Sequence, residues 1–245
     1  FDVEAETVEQ QLADNIEITT KLAELIPLDA GLEVEVGEVG KIDPSTGEKA
    51  LTSVAEAETF IKAIDDAGYK PNLLATNNGT THGNIYDAEG NIVEQIGIDI
   101  DRTRDLANAV KPYGVYIAQH GITGTPLNLM GKLIDCGVFK GNVGTNWQNI
   151  ALEVMPQDLV AKMEAWTLAS KHAEKMKSRK PDLSEKEILG KNIKHSIKEY
   201  KKEIDGLDAE AVAKIDEATK QSALAFFKAF QAQGTASKVA EHIEG

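Results

Sequence analysis

Gly114-Val-Tyr-Ile-Ala-Gln119-His120-Gly-Ile-Thr-Gly124-Thr-Pro126 is the stretch whose reading decides the fold. An uncharged run rich in β-branched and aromatic residues, bounded by a glycine turn, predicts a strand buried in a parallel sheet. His120 then stands where the carboxyl end of that strand gives way to a loop. Thr125 and Pro126 read as N-cap and first helical position. The Gly121–Gly124 turn is therefore expected at a helix N-terminus, where unpaired N–H groups and the macrodipole favour an anion.

Working outward, the same arrangement recurs twice. Pro71-Asn-Leu-Leu-Ala-Thr76 is followed by Gly79-Thr-Thr-His82-Gly83, a second strand that hands a histidine to a glycine loop. His82 and His120 lie 38 residues apart, room for a loop, a helix and the next strand, as two successive positions on the rim of an α/β barrel require. A third run, Gly137-Val-Phe-Lys140-Gly-Asn142-Val-Gly144-Thr145-Asn-Trp-Gln148, predicts a short strand, then Asn142, Gly144 and Thr145 before a helix through Leu152. Histidine offers a nitrogen suited to zinc, and a neighbouring glycine lets backbone N–H groups approach a ligand with no Cβ in the way. Taken singly, each histidine reads as an ordinary loop residue; taken with these neighbours, the pair points to one metal site beside one phosphate site.

Gly31-Leu-Glu33-Val-Glu35-Val-Gly37 alternates, with Leu32, Val34 and Val36 on one face and both carboxylates on the other. Two readings stay open. Either the glutamates face a barrel interior, where they must be paired or bound to a cation, or this is an edge strand with a solvated acidic face. Strands near 31–36, 72–76, 114–119 and 138–142 alternate with helices expected at 7–25, 54–67 and 101–110, the βα pattern of a parallel sheet. Thr7 with Gln10 and Ser53 with Glu56 have capping-box spacing. Beyond Pro156 only helices are predicted, over 157–178, 184–204 and 208–233, with Ser184 and Glu187 as another capping box, Gly206 as punctuation and Asp208 as N-cap. Residues 1–155 are thus expected to carry the site and 156–245 to form a helical extension.

Composition narrows the class. The net charge of −14 over 245 residues argues against a nucleic-acid partner. There is no run long enough to cross a membrane and no signal peptide, and the single cysteine, Cys136, reads as buried helix packing; a cytoplasmic protein is expected. The lysine-rich stretch 171–202 reads as a solvated helix face or as a holder of a second phosphate through Lys191 or Lys194. The apolar residues Ala223, Ala225, Phe226, Phe227 and Phe230 read as a packing stripe, and His172, His195 and His242 have no partners at ligand spacing.

In these ordered motifs the chain resembles the class II, zinc-dependent fructose-bisphosphate aldolases and their ketose-bisphosphate relatives. The matching segments are Leu32 to Gly37; His82-Gly83 with Tyr86; His120-Gly-Ile-Thr-Gly124; and Lys140-Gly-Asn-Val-Gly-Thr145. The resemblance covers residues 1–155. It implies a (β/α)8 TIM barrel, of which this chain would carry strands 5–8 and the end of strand 4, followed by C-terminal helices. It also implies aldol cleavage of a ketose bisphosphate to dihydroxyacetone phosphate and an aldehyde, a step of glycolysis and carbohydrate metabolism. His82, His120 and Glu35 would ligate Zn2+ or another divalent metal, with Asp2 near the Glu35 position. Gly83, Gly121, Thr123 and Thr145 would hold the phosphate and Asn142 the substrate beside the reacting carbon. A monovalent cation near these glycines, a phosphorylated ketose as partner and a homodimer or higher homo-oligomer complete the expectation.

Departures temper it. The family's third histidine ligand and its general acid have no counterpart here. Ile122 replaces a usual glycine and is expected to narrow the phosphate loop, and Gly144 replaces a usual acid. For the mobile general base, the loop after the Glu35 strand offers Glu38, Asp43 and Glu48, with Asp43 nearest by counting. Two rivals stay in view: a non-catalytic aldolase-like subunit, and another metal-dependent phosphosugar enzyme on the same barrel.

Overall fold

A computed structural model describes residues 7–27, 29–37, 50–87 and 91–244. The chain opens with α1 (Val8–Ala23), β1 (Glu33–Val36), α2 (Val54–Asp66) and β2 (Leu73–Thr76). The hairpin β3 (Ile85–Tyr86) and β4 (Ile92–Val93) follows, then α3 (Ile100–Val110), β5 (Tyr116–Gln119), α4 (Leu127–Asp135) and β6 (Val138–Gly141). The remainder is helical: α5 (Thr145–Val154), α6 (Gln157–Leu168), α7 (Lys171–Arg179), α8 (Glu185–Asn192), α9 (Ser196–Glu199), α10 (Lys201–Asp205), α11 (Ala209–Ala229) and α12 (Ala236–Glu244). None of the described helices is long and apolar enough to cross a membrane.

Two compact units result. The first comprises residues 1–82, 95–122 and 128–142; the second comprises 83–94, 123–127 and 143–245. In the first, four strands pair in the order β1-β2-β5-β6, every pair parallel. The register matches Glu35 to Ala75 and Ala75 to Ala118, so alternate residues share a face across the sheet. On the other face Val34, Val36, Leu74, Ile117 and Val138 are buried, together with Phe60, Ile61 and Ile64 of α2 and Leu106 and Val110 of α3. The continuous apolar strands and one-sided helices predicted from periodicity are therefore the core of this unit, an α/β fold around a parallel sheet. Ser53 forms the full capping box with Glu56, and Thr7 accepts from the Gln10 N–H. Asp99 caps α3, so that helix starts at Ile100, slightly earlier than its apolar pattern indicates.

The second unit is helical apart from the two-residue strands of the β3–β4 hairpin, which are too short to carry a periodic signal. Met155, Leu159, Val160 and Met163 form its cluster, with Ile204, Leu207 and Ile215 packed against them. Trp147 of α5 meets Phe226 of α11 edge to face at 5.7 Å, and Asn146 donates to Ser222 at 2.9 Å, so part of the predicted stripe packs within this unit while Phe227 stays exposed. The helix expected over 157–178 breaks at Ser170, which caps α7, and that over 184–204 breaks into α8, a 3-10 turn, α9 and α10. Cys136 is buried as expected, but lies just beyond α4 instead of within it.

Candidate functional site

The carboxyl ends of β2 and β5 are adjacent because those strands pair directly, and a buried amide network joins the loops that leave them. Gln119 donates to Asn78 Oδ1 at 3.0 Å, Thr80 Oγ1 at 3.2 Å and the His120 carbonyl at 2.8 Å, while Asn78 donates to Gln119 Oε1 at 2.6 Å and to Thr103 at 2.8 Å. Thr80 donates to the same His120 carbonyl. The Gln95 side chain holds Thr81 twice, accepting from its N–H at 3.0 Å and donating to its carbonyl at 3.1 Å. These contacts fix the main chain on either side of both histidines.

Gly121 closes the arrangement. Its φ is +65°, and a Cβ there would lie 2.8 Å from the Thr81 carbonyl oxygen. Only glycine adopts this conformation without strain and lets the two loops touch. The close approach that its sequence signals is thus, in the described residues, to another loop of the protein.

As a result, His82 and His120 stand with ring centroids 5.8 Å apart at an interplanar angle of 63°. Glu33 and Glu35, on one face of β1, both reach His120: Glu33 Oε1 lies 2.7 Å from Nε2, and Glu35 Oε2 lies 3.8 Å from Nδ1. Lys140 donates to the other Glu33 oxygen at 2.6 Å. Glu35 is further held through its backbone, whose carbonyl accepts from Asn15 at 2.9 Å. Burial pushes the Glu33 carboxyl up, but hydrogen bonds from Lys140 and His120 and the charge of the Lys140 ammonium outweigh it, holding the group below its ordinary value. Both readings of the acidic strand are therefore partly met: Glu33 is paired, and Glu35 is exposed enough to meet water.

Two imidazoles bound at about 2.0–2.1 Å to one tetrahedral zinc ion place their ring centroids about 5 Å apart, and an imidazole and a carboxylate sharing that ion place N and O about 3.4 Å apart. The 5.8 Å and 3.8 Å found here each come within about an ångström of that geometry. Among the described residues, no group of three or more His, Cys, Asp or Glu is drawn together tightly enough to hold a metal. His82, His120 and Glu35 are therefore neighbours whose spacing approaches that of ligands to one ion without forming a closed set.

Of the other sequence-derived residues, Asn142 extends β6, its N–H donating to the Gln119 carbonyl at 2.9 Å. Gly121, Asn142, Glu35 and both histidines belong to the first unit; Gly83, Thr123 and Thr145 belong to the second. Gly83 has φ +83° with open space where a Cβ would stand. Thr123 Oγ1 accepts from Asn146 N–H at 3.2 Å, serving the start of α5, whose own N-cap position is Gly144 and offers no side chain. Asp2, Glu38, Asp43 and Glu48 lie outside the described residues. Ile122, expected to narrow the phosphate loop, is fully buried. The Thr125 hydroxyl is buried without a hydrogen-bond partner and α4 begins at Leu127, so Thr125 is not its side-chain cap. Sequence reasoning missed Glu33, Gln119 and Asn78 as positioning groups. For Glu33 the signal was present, since i and i+2 share a face; for the amides nothing in the sequence marks burial. His172 and His195, set aside for lack of partners, stack on each other at 3.8 Å.

An all-parallel sheet with helical crossovers, with imidazoles in the loops that leave the carboxyl ends of β2 and β5 and two carboxylates of β1 beside one of them, defines an α/β protein with an ionisable cluster. The chain belongs to the class II fructose-bisphosphate aldolase family, whose model, described as fructose-bisphosphate aldolase class-II, matches residues 5–234. No curated protein matches it by sequence. Among solved structures it is similar to the YdjI aldolase from Escherichia coli K12, with 18% identity, a TM-score of 0.54, and 92% of this chain and 59% of that one covered. It is also similar to a glycerol-bound fructuronate-tagaturonate epimerase UxaE from Cohnella laeviribosi, with 12% identity, a TM-score of 0.55, and 89% and 50% covered. A fructose-1,6-bisphosphate aldolase homologue from Coccidioides immitis matches at 18% identity with a TM-score of 0.45, covering 84% and 61%. The chain thus spans about 50–61% of the length of these structures, and its likeness to the first two is one of fold.

Proposed function

We propose that this chain carries the metal and phosphate side of a metal-dependent aldolase, which cleaves or forms a ketose phosphate from dihydroxyacetone phosphate and an aldehyde. Fructose 1,6-bisphosphate or a close relative is the substrate in this reading. The observation that carries it is the convergence of His82 and His120 at the ends of adjacent parallel strands, 5.8 Å apart beside Glu35, in a member of this family. His82, His120 and Glu35 would hold a divalent ion, zinc being suited to such a donor set. When bound, such an ion supplies Lewis-acid polarisation of a ketone oxygen.

The chain's own residues do the rest. In this reading a phosphate is held by local backbone and hydroxyl donors and not by the overall field, because a net charge of −14 repels it. Asn142 hydrogen-bonds the substrate near the carbon whose bond breaks, and Asp43 takes or returns the proton. A monovalent cation near the glycines belongs to the same reading. The four-stranded sheet is read as half of a (β/α)8 barrel, with residues 1–155 carrying the site and 156–245 a helical extension, in a cytoplasmic homo-oligomer.

The test is cleavage of a panel of phosphorylated ketoses, followed through the aldehyde released. Activity is expected to vanish with a chelator and return with zinc or cobalt. Cleavage that survives chelation overturns the metal-dependent mechanism. Ketose phosphates left intact while a 4-epimer forms favour an epimerase, the reaction named for the Cohnella structure.

A further inference from the structure

We propose that Glu33 is a positioning residue: it accepts the Nε2–H of His120, fixes that imidazole tautomer, and leaves Nδ1 as the nitrogen that meets a divalent cation, with Lys140 anchoring the carboxylate in place. The second half of this inference rests on the metal-dependent reading of the site; the first half is observable without any metal.

The geometry assigns the direction of each bond. An ammonium donates and never accepts, so Lys140 at 2.6 Å makes Glu33 Oε2 an acceptor. The remaining oxygen of an ionised carboxylate also only accepts, which makes Nε2, at 2.7 Å from Oε1, the donor. A neutral imidazole protonated at Nε2 carries its lone pair on Nδ1. That atom lies 3.8 Å from Glu35 Oε2, beyond hydrogen-bond range. A carboxylate and a lone-pair nitrogen at that separation repel unless a cation lies between them. Hydrogen bonding of the far ring nitrogen to a carboxylate is also the arrangement that orients metal-binding histidines and raises their basicity. The register supports the division of labour: Glu33 and Glu35 are one pleat apart on one face, so one grips the near nitrogen of the ring and the other faces the far one. Lys140 reaches Glu33 from the opposite edge strand of the sheet, which keeps the carboxylate from swinging to solvent.

A purely structural role would make the cluster a tether between strands, and the two are told apart by nitrogen NMR of the 15N-histidine-labelled, metal-free chain above the imidazole titration range. The expected spectrum has His120 protonated at Nε2 with a bare Nδ1, and Zn2+ added alone shifts the Nδ1 resonance while the Nε2 proton stays. Glu33→Leu is expected to lose the tautomer bias and to bind Zn2+ about 10–100-fold more weakly. Glu33→Gln, whose amide oxygen still accepts from Nε2, is expected to keep the tautomer and most of the affinity, and it serves as the folded control. His120 protonated at Nδ1 in the unsubstituted chain overturns the proposal, as does Glu33→Leu with unchanged tautomer and zinc affinity. An Nε2–H tautomer with Nδ1-bound Zn2+, in a protein that cleaves no ketose phosphate, supports this proposal while sinking the aldolase reading.

Discussion

At the scale of single residues, the proposed site rests on two imidazoles and one glycine. His82→Ala and His120→Ala are each expected to abolish zinc retention after gel filtration, measured by elemental analysis, whereas His172→Ala, whose ring stacks on His195 in the helical unit, retains it. Equal zinc content in all three variants would show that the ligands lie elsewhere. Gly121→Ala places a side chain at φ +65° and against the Thr81 carbonyl. It should cost about 1–3 kcal/mol from the backbone conformation alone, readable in urea unfolding. That the two histidines come together was legible in the sequence, because each follows a strand of the same sheet and precedes a glycine. Glu33 was not singled out, because the alternating strand marks both carboxylates equally and only the distances to His120 and Lys140 separate their tasks. The buried amides were illegible for a different reason: a glutamine following an apolar run looks like a strand end, and only its partners 39 to 41 positions away explain its burial.

At the scale of elements, local rules served where a segment is long and one face of it is buried. The strand at 33–36 follows from alternation and those at 73–76, 116–119 and 138–141 from short apolar runs, and capping chemistry set the starts of α1, α2, α8 and α11. They failed where a helical period continues across a break. Ser170 caps α7 through Ala173 N–H inside a stretch whose pattern reads as one helix, and a 3-10 turn at Ile193–His195 does the same further on. Ser53→Ala should lower stability by about 1 kcal/mol through loss of the α2 cap. Gln119→Leu is expected to do more, because it leaves the Asn78 side-chain oxygen without its donor at the centre of the network. Each buried polar group left without a partner costs about 1–3 kcal/mol, and hydrogen exchange at the 77–82 loop should accelerate with it. If exchange there is unchanged, the network is not what ties the loops.

At the scale of the whole molecule, charge and protons matter most. Burial, then the neighbouring His172 and Lys194, hold His195 below its ordinary value of 6.5. The unfolded chain therefore takes up that proton first as pH falls, so this contribution to stability is present above about pH 6.5 and is lost below it. Glu33 and Glu187, both held below 4.5, lose their contributions only at lower pH, which leaves the imidazole its own window. Melting followed by circular dichroism should show a drop between pH 7.5 and 5.5 that shrinks in His195→Gln; an undiminished drop would assign it to other groups. A wider lesson comes from the contact between Gly121 and Thr81. Because main chain abuts main chain there, the gap between the imidazoles behaves like the jaw width of a caliper. Aliphatic residues in the layer beneath should therefore tolerate exchange for others of different bulk while the span between the two rings stays the same.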